Sequence, residues 1–249
     1  MKKIIVLFFF IFLITQHCVA QIKDSIINTP LLIFSYAVQQ PGGDMAKRFG
    51  WNSSLGGSFL FKNNSNWIGG LSGNFIFGNN IHEPDLLVNI TTHDGYIIGA
   101  DGHYADVRFY ERGFNFAVDF GKIIPKLSPN PNCGFLILSS VGFLQHKIRI
   151  EDISNTVPGL RDNYIKGYDR LTNGISLTEF IGYIYLSNNK LINFYGGLEF
   201  IQAWTENRRT INFDTMNHDG TKRHDYLTGL RLGWILPLYK RNINQFYYN

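Results

Sequence analysis

The sequence has 249 residues, a formal net charge of +4 and a mean hydropathy of -0.07, with 45% hydrophobic and 15% aromatic residues. This length suits one domain, and so small a positive charge argues against a nucleic acid as partner. The sequence contains 2 cysteines, and the first belongs to a predicted leader, so we expect no disulfide within the mature chain.

Residues 1–20 have the layout of a secretory signal peptide. Lys2 and Lys3 precede an apolar run, and Cys18-Val19-Ala20 ends the leader before Gln21. Neither this run nor any later segment reaches the roughly 18 apolar residues that a transmembrane helix needs. We therefore predict that residues 1–20 are removed, that residues 21–249 form the mature domain, and that its formal charge falls to +2 because two lysines are lost.

Eight segments of the mature chain have the composition of β-strands, and the connections between them alternate between short and long. The short ones, such as 63–66, are rich in Asn and Ser, as hairpin turns are. This alternation is typical of an all-β fold, an antiparallel eight-stranded transmembrane β-barrel with short periplasmic turns and long extracellular loops. The predicted strands are 31–40, 51–62, 67–78, 107–122, 134–150, 173–187, 191–206 and 225–239, so the barrel spans about 31–239.

The segment from Gly113 to Gly121 shows the alternation most clearly. Its even positions are all large and apolar, while its odd positions hold Gly, Asn, Ala and Asp. A soluble lipocalin-like carrier would produce the same period, with its apolar side chains pointing inward. A water-facing surface usually carries many Lys and Glu, however, whereas small polar residues fill the interior of a narrow barrel. The pattern therefore favours lipid on the outside.

The sixth predicted strand, 173–187, breaks the pattern. Ile175 and Leu177 share one face with Glu179. We expect either a β-bulge that shifts the register, or a strand end that lies above the membrane.

Aromatic residues lie near the ends of several predicted strands. Membrane barrels carry such residues at both lipid–water interfaces, although aromatic residues are also common in ordinary strands. The residues concerned are Trp51, Trp67, Tyr185, Trp204 and Tyr239.

With the leader, strands and loops placed, residues 31–239 resemble the eight-stranded outer-membrane barrel superfamily to which the OmpA transmembrane domain and OmpX belong. The Ala20-Gln21 junction and the richness in Asn, Ile, Tyr and Phe look like a Bacteroidota member, where small barrels include accessory components of gliding and type IX secretion machinery. The resemblance implies an outer-membrane location with membrane lipid around the barrel. Residues 240–249 depart from the pattern of this superfamily. We expect that they either form a periplasmic tail or extend the last strand.

Three charged residues project from the faces that carry small residues. Asp119, Glu199 and Arg231 are predicted to form a salt-bridge network in the barrel interior, since buried charges are tolerated only when paired. The interior of an eight-stranded barrel is filled by side chains, so we expect no open channel.

The loop around residues 94–104 mixes aromatic and aliphatic residues with turn residues. Long loops on a rigid barrel are natural binding surfaces, and aromatic residues favour contact with proteins. The alternative is that this loop folds over the mouth of the barrel. The residues predicted to bind a partner are Tyr96, Ile97, Ile98, His103 and Tyr104.

The sequence thus predicts a non-enzymatic outer-membrane barrel that binds a protein partner, in a secretion or uptake complex. We expect no cofactor, no metal and no catalytic residue. A lipid-modifying enzyme, an acyltransferase or deacylase, is the alternative, because His and Asp residues are frequent in the long loops. The loops lack the His-x-Ser pair of the deacylase type, however, and near Asn217-His218-Asp219-Gly220 two of the positions that a calcium loop fills with acidic residues hold Thr215 and Tyr226.

Overall fold

The computed structural model describes residues 26–187 and 192–238. The predicted signal peptide (1–20), the predicted tail (240–249) and Tyr239 lie outside the described residues.

Eight antiparallel strands form one closed barrel, in which each strand pairs with the next and β8 returns to pair with β1. This confirms the predicted fold class, and the observed strand ends differ from the predicted ones by no more than three residues. The strands are β1 (Thr29–Gly43), β2 (Asn52–Lys62), β3 (Trp67–Gly78), β4 (Val107–Ile124), β5 (Gly134–Asp152), β6 (Thr172–Leu186), β7 (Asn193–Asn207) and β8 (Lys222–Pro237).

Short 3₁₀ helices interrupt the connections at one end of the barrel, which we call the loop end. They span Met45–Lys47, Val88–Ile90, Pro158–Leu160 and Tyr164–Gly167. No helix in the described part of the chain is long and apolar enough to cross a membrane.

The apolar side chains of the strands point outward. On β4, Phe116, Val118 and Phe120 are each about 60% exposed, whereas Asn115 and Asp119 on the other face of the strand are buried inside the barrel. Successive side chains of a strand face opposite sides of the sheet, so the alternation in this part of β4 separates an apolar outer face from a small, polar inner face. A lipocalin-like carrier would have the reverse arrangement.

Outward-facing aromatic side chains lie towards both ends of the wall. Trp51 and Trp204 lie at the loop end, and Trp67 and Tyr185 lie at the opposite end, which we call the turn end. Their positions match the two aromatic belts expected of a membrane barrel.

Of the two explanations predicted for the sixth strand, the β-bulge is wrong. The register of β6 with β5 and with β7 is unbroken from Thr172 to Ile184. Ile175, Leu177 and Glu179 therefore all face outward. The apolar outer surface continues from Glu179 towards the loop end of the barrel, where Leu177 and Ile175 lie. Glu179 consequently lies within the outer wall, away from either end of its strand.

Two apolar clusters fill the barrel interior. The cluster at the turn end is made by inward residues of the strands, among them Leu31, Leu60 and Leu136. The cluster at the loop end joins strand residues such as Ile148 to loop residues such as Phe49. Because this second cluster includes side chains from several connections, the connections fold over the mouth of the barrel as a cap, which comprises residues 44–51, 79–106, 153–171 and 208–221.

Candidate functional site

An ion pair occupies the middle of the barrel interior. Arg231 on β8 donates to both carboxylate oxygens of Glu199 on β7, with distances of 2.5 Å from Nε and 2.9 Å from Nη2. Its Nη1 also donates to Ser35 Oγ at 2.8 Å and to Asn74 Oδ1 at 2.6 Å. Gln39 donates to Glu199 Oε1 at 2.8 Å, so both charges are buried and hydrogen-bonded.

Asp119, the third charge of the predicted network, lies apart from this pair. Its Oδ1 accepts hydrogen bonds from Ser72 at 3.0 Å and from Ser140 at 2.6 Å. Ser140 faces Asp119 directly on β5, and Ser72 lies on β3 on its other side. The predicted network of three charges is thus an ion pair and a separate carboxyl group bound by two hydroxyls.

A small cavity lies beside these polar side chains. Its volume is about 40 Å³, and Asn115, Asp119 and Arg231 contribute to its lining. This volume accommodates about three water molecules. With an apolar cluster on either side of it, the interior has the character of a packed core.

A second polar cluster, which the sequence analysis missed, lies directly beneath the cap. His146 Nε2 on β5 lies 2.9 Å from Asp225 Oδ2 on β8, and Thr205 Oγ1 donates to the same oxygen at 2.5 Å. The edge of the His146 ring meets Phe49 of the cap, with ring centroids 5.4 Å apart. The period-two pattern of the sequence indicates that each of these residues points inward. It does not indicate that they meet, because β5 and β8 are not neighbours and only the closed barrel brings His146 and Asp225 together.

Ion pairs join the four connections of the cap. Buried Arg48 contacts Glu83 Oε1 at 3.1 Å and Asp219 Oδ2 at 3.7 Å, which links three connections. Burial lowers the pKa of Arg48 to about 10, so its side chain stays charged at neutral pH. The pairs Arg170–Asp214 and Arg209–Asp169 bind the third connection to the fourth.

The predicted partner-binding loop forms a small hairpin on the outer surface of the cap. Ile98 pairs with Tyr104 as an isolated bridge, and the Tyr96 and Tyr104 rings lie 4.8 Å apart. These three side chains are 53%, 72% and 54% exposed, in the order Ile98, Tyr104 and Tyr96. We call them the aromatic ridge. His103 beside them is exposed as well.

Backbone contacts hold this hairpin on the cap. Gly102 adopts a φ of +79° at the turn, a conformation that glycine accommodates readily, and Ala100 N donates to Thr156 O of the next connection at 2.8 Å. Ile97 was predicted to contact a partner, but its side chain is partly buried against the apolar cluster of the cap. Its neighbours in sequence, Tyr96 and Ile98, point to the outside, whereas Ile97 packs against the cap and anchors the hairpin. The two alternatives for this loop are therefore combined: it folds onto the barrel mouth and exposes a ridge.

The loop histidines, considered above as catalytic candidates, lie apart from one another. The His82 ring contacts the backbone of Ala46, and the His218 ring contacts the backbone carbonyls of Arg209 and Thr210. His93 is fully exposed beside Asp94. Among residues 26–187 and 192–238, no three His, Cys, Asp or Glu side chains are grouped so as to hold a metal ion.

Comparison of the sequence with protein families and with curated proteins finds no match. Among solved structures, Neisserial surface protein A is 10% identical, with 83% of this chain and 96% of that chain covered and a TM-score of 0.43. Ail, the attachment invasion locus protein of Yersinia pestis, is 8% identical over 85% of this chain and 100% of its own, with a TM-score of 0.40.

The outer membrane protein OprG of Pseudomonas aeruginosa is similar at the same level. It is 10% identical, with 86% of this chain and 98% of that chain covered and a TM-score of 0.35. At these values the likeness assigns neither a family nor a function.

Proposed function

We propose that this chain is a non-enzymatic outer-membrane barrel that binds a protein partner through the aromatic ridge of its cap, as an accessory subunit of a secretion or uptake complex. The exposed ridge on a rigid cap is the observation that carries the proposal. Three further features support it, and they concern the outer wall, the interior and the buried polar groups.

The outer wall supports a membrane location. Large apolar side chains cover it on all eight strands, and most of them are about half exposed. Monomeric soluble proteins rarely expose apolar patches larger than a few hundred Å². A lipid bilayer covers such apolar surface and removes the free-energy cost of exposing it to water. The closed barrel also leaves no strand edge unpaired within the bilayer. The cap then faces the cell exterior, because long connections of such barrels lie outside.

The filled interior supports a binding function at the surface of the protein. A cavity of about 40 Å³ between two apolar clusters does not accommodate a solute, so the barrel serves as a scaffold for the cap. Tyrosine side chains dominate many protein interfaces because they bury a large area at a small entropic cost. The Tyr96 and Tyr104 rings already contact each other, which reduces the ordering cost of binding.

The buried polar groups support a non-enzymatic role. A hydrolase or acyltransferase needs a nucleophile beside a base, and both must reach the substrate. His146 and Asp225 are the described histidine and carboxylate in closest contact, and both are sealed beneath the cap.

The ridge is tested by comparing matched tyrosine variants in the native host. Tyr96→Ser/Tyr104→Ser should lower the amount of partner that co-purifies in mild detergent at least tenfold, because a tenfold loss corresponds to about 1.4 kcal/mol and a hot-spot tyrosine contributes about 2 kcal/mol or more. Tyr164→Ser is the control, since Tyr164 is exposed elsewhere on the cap. Equal recovery of partner with all variants contradicts the proposal.

Fractionation tests the location independently. The protein should be found in the outer membrane, and its mobility on a gel should change on heating, as that of folded membrane barrels does. Recovery in the soluble periplasm overturns the membrane assignment.

A further inference from the structure

Glu179 is an outward carboxyl group in the middle of the oily wall. It lies on β6 between Leu177 and Ile181, which are 40% and 59% exposed. On the neighbouring strands it faces Ser139 of β5 and Phe200 of β7. Glu179 forms no hydrogen bond and no ion pair with any of the residues that the structure describes, although most of the interior charges are paired.

The position of Glu179 along the strand places it within the hydrocarbon layer. Tyr183 and Tyr185 follow on the same outward face towards the turn end, where aromatic side chains mark the interface. Ile175, 63% exposed, continues the apolar surface on the loop side. A lipid headgroup at either interface is therefore separated from the carboxyl group by at least one row of apolar side chains.

An unpaired carboxylate at this depth is unfavourable. Removing a charge from water without a partner carries a large desolvation cost, and ionisable residues within a membrane usually face a partner. Residues 26–187 and 192–238 do not provide such a partner. Its outward basic side chains in the described strands lie near the strand ends, where Lys122 lies over the Trp67 ring and Arg112 over the Tyr110 ring.

We propose that the wall formed by β5, β6 and β7 around Glu179 is a docking face for a second membrane-embedded protein, which places a basic side chain against this carboxylate. A second copy of this chain does not fit as well, because the described outer wall offers no cation at that depth and would bring two carboxylates together. The opposite wall, centred on β2, carries no such charge: Leu55, Phe59 and Leu71 are exposed there. The proposal rests on the proposed outer-membrane location, but it is independent of the aromatic ridge.

Site-specific crosslinking in the full-length protein tests this docking face. A photoreactive phenylalanine analogue is placed at Leu177, next to Glu179, and in a second strain at Leu55 of β2 on the opposite wall as the matched control. We expect Leu177 to crosslink to one other membrane protein and Leu55 to crosslink to lipid. The heat-dependent gel mobility of each variant shows whether it is folded, and folded variants alone are compared.

Two substitutions then test the carboxylate. Glu179→Gln keeps the shape and removes the charge, and we expect the crosslink from Leu177 to fall at least fivefold. Glu179→Lys should abolish it. The crosslinked peptide of the partner should contain a basic residue, and changing that residue to Glu should restore the crosslink to the Glu179→Lys variant.

Four results overturn the proposal: equal crosslinking from both walls, crosslinking to a second copy, crosslinking to lipid alone from Leu177, or an unchanged yield in Glu179→Gln. The ridge variant Tyr96→Ser/Tyr104→Ser separates the two hypotheses. A crosslink from Leu177 that persists in this variant supports a wall contact of its own. Loss of partner in the ridge variant together with a negative wall result leaves the ridge proposal intact and removes this one.

Discussion

Arg231 contacts four oxygen atoms from three strands other than its own. A guanidinium group suits this position because its planar fork presents several fixed donors. Glu199 receives hydrogen bonds from Arg231 and from Gln39, so neither charge is left bare inside the barrel. The interior therefore depends on the pair as a unit, and removal of one member is worse than removal of both.

This dependence predicts an unequal response to single and double replacement. Arg231→Met should lower the free energy of unfolding by about 3–5 kcal/mol, because it leaves a buried carboxylate without its counter-charge. Arg231→Met combined with Glu199→Met should be clearly more stable than the single variant. Urea unfolding in lipid vesicles, followed by tryptophan fluorescence, measures both. A double variant as unstable as the single one contradicts the paired reading.

A pair of inward glycines makes room for an aromatic ring. Gly182 and Gly197 face each other across β6 and β7, and a Cβ atom at Gly197 would lie 2.3 Å from Ile181 O and 2.8 Å from the Phe180 ring. Gly197→Ala should therefore lower the free energy of unfolding by about 1–3 kcal/mol.

Gly57→Ala is the control for this effect. Its Cβ would lie on the outer wall, with its nearest neighbour, Ile33 O, at 3.5 Å. The same unfolding experiment should show little change. Similar losses in the two variants would assign the effect to glycine content alone.

At the scale of elements, the cap is held by contacts between connections. Burial opposes the ionisation of Asp219, but hydrogen bonds from Thr221 and the nearby charge of Arg223 outweigh it and lower the pKa of Asp219 to about 2. A carboxyl group whose pKa is depressed by folding stabilises the folded form above its unfolded pKa, near 3.8 here. This stabilisation is lost as the pH falls through about 2.

The cap should accordingly loosen in acid through Asp219. At pH 4, pepsin should cleave the cap of Asp219→Asn faster than that of the unaltered protein, because only the latter keeps the charged contacts with Arg48 and Arg223. Near pH 2 the two digestion rates should converge, since Asp219 is then half protonated or more. A rate difference that grows towards pH 2 would reverse the sign and refute the assignment.

The strand periodicity was the reliable signal for the elements, and its failures have physical causes. Period two places Asp119, Glu199 and Arg231 inside, but it does not tell which inward side chains meet across the barrel. It therefore missed Ser72 and Ser140 as the partners of Asp119. The bulge was one of two explanations offered for Glu179 on β6, and it rested on the rule that charges avoid lipid. The unbroken register shows that Glu179 faces outward without a bulge.

The whole molecule is a filled cylinder, which predicts its behaviour in a planar bilayer. We expect no stable single-channel conductance, because the two apolar clusters and the Arg231–Glu199 layer occupy the interior in series. Deleting residues 92–104, which form the hairpin of the ridge, should leave the barrel non-conducting, since the layers below the cap remain. Discrete conductance steps in the unaltered protein would contradict the closed interior.

The fold class was predictable from the sequence because a membrane barrel repeats one local pattern eight times. The cap was not, since its contacts join residues far apart in the chain, such as Arg48 with Asp219 and Ala100 with Thr156. Aromatic residues in the loop at 94–104 predicted a surface role, and the structure shows which side chains of this loop are exposed. Ile97 was assigned to the surface because sequence alone gives no direction to a loop side chain.

The ion pairs between connections also constrain how this protein can change over time. Arg48 is shared by Glu83 and Asp219, so a replacement in one connection removes a counter-charge from two others. Loops commonly vary more in sequence than the elements they connect. In this protein, substitutions in the three connections that meet at buried Arg48 are expected to depend on one another. Any surface variation should be confined to the exposed hairpin tip, while the residues that close the mouth change in concert.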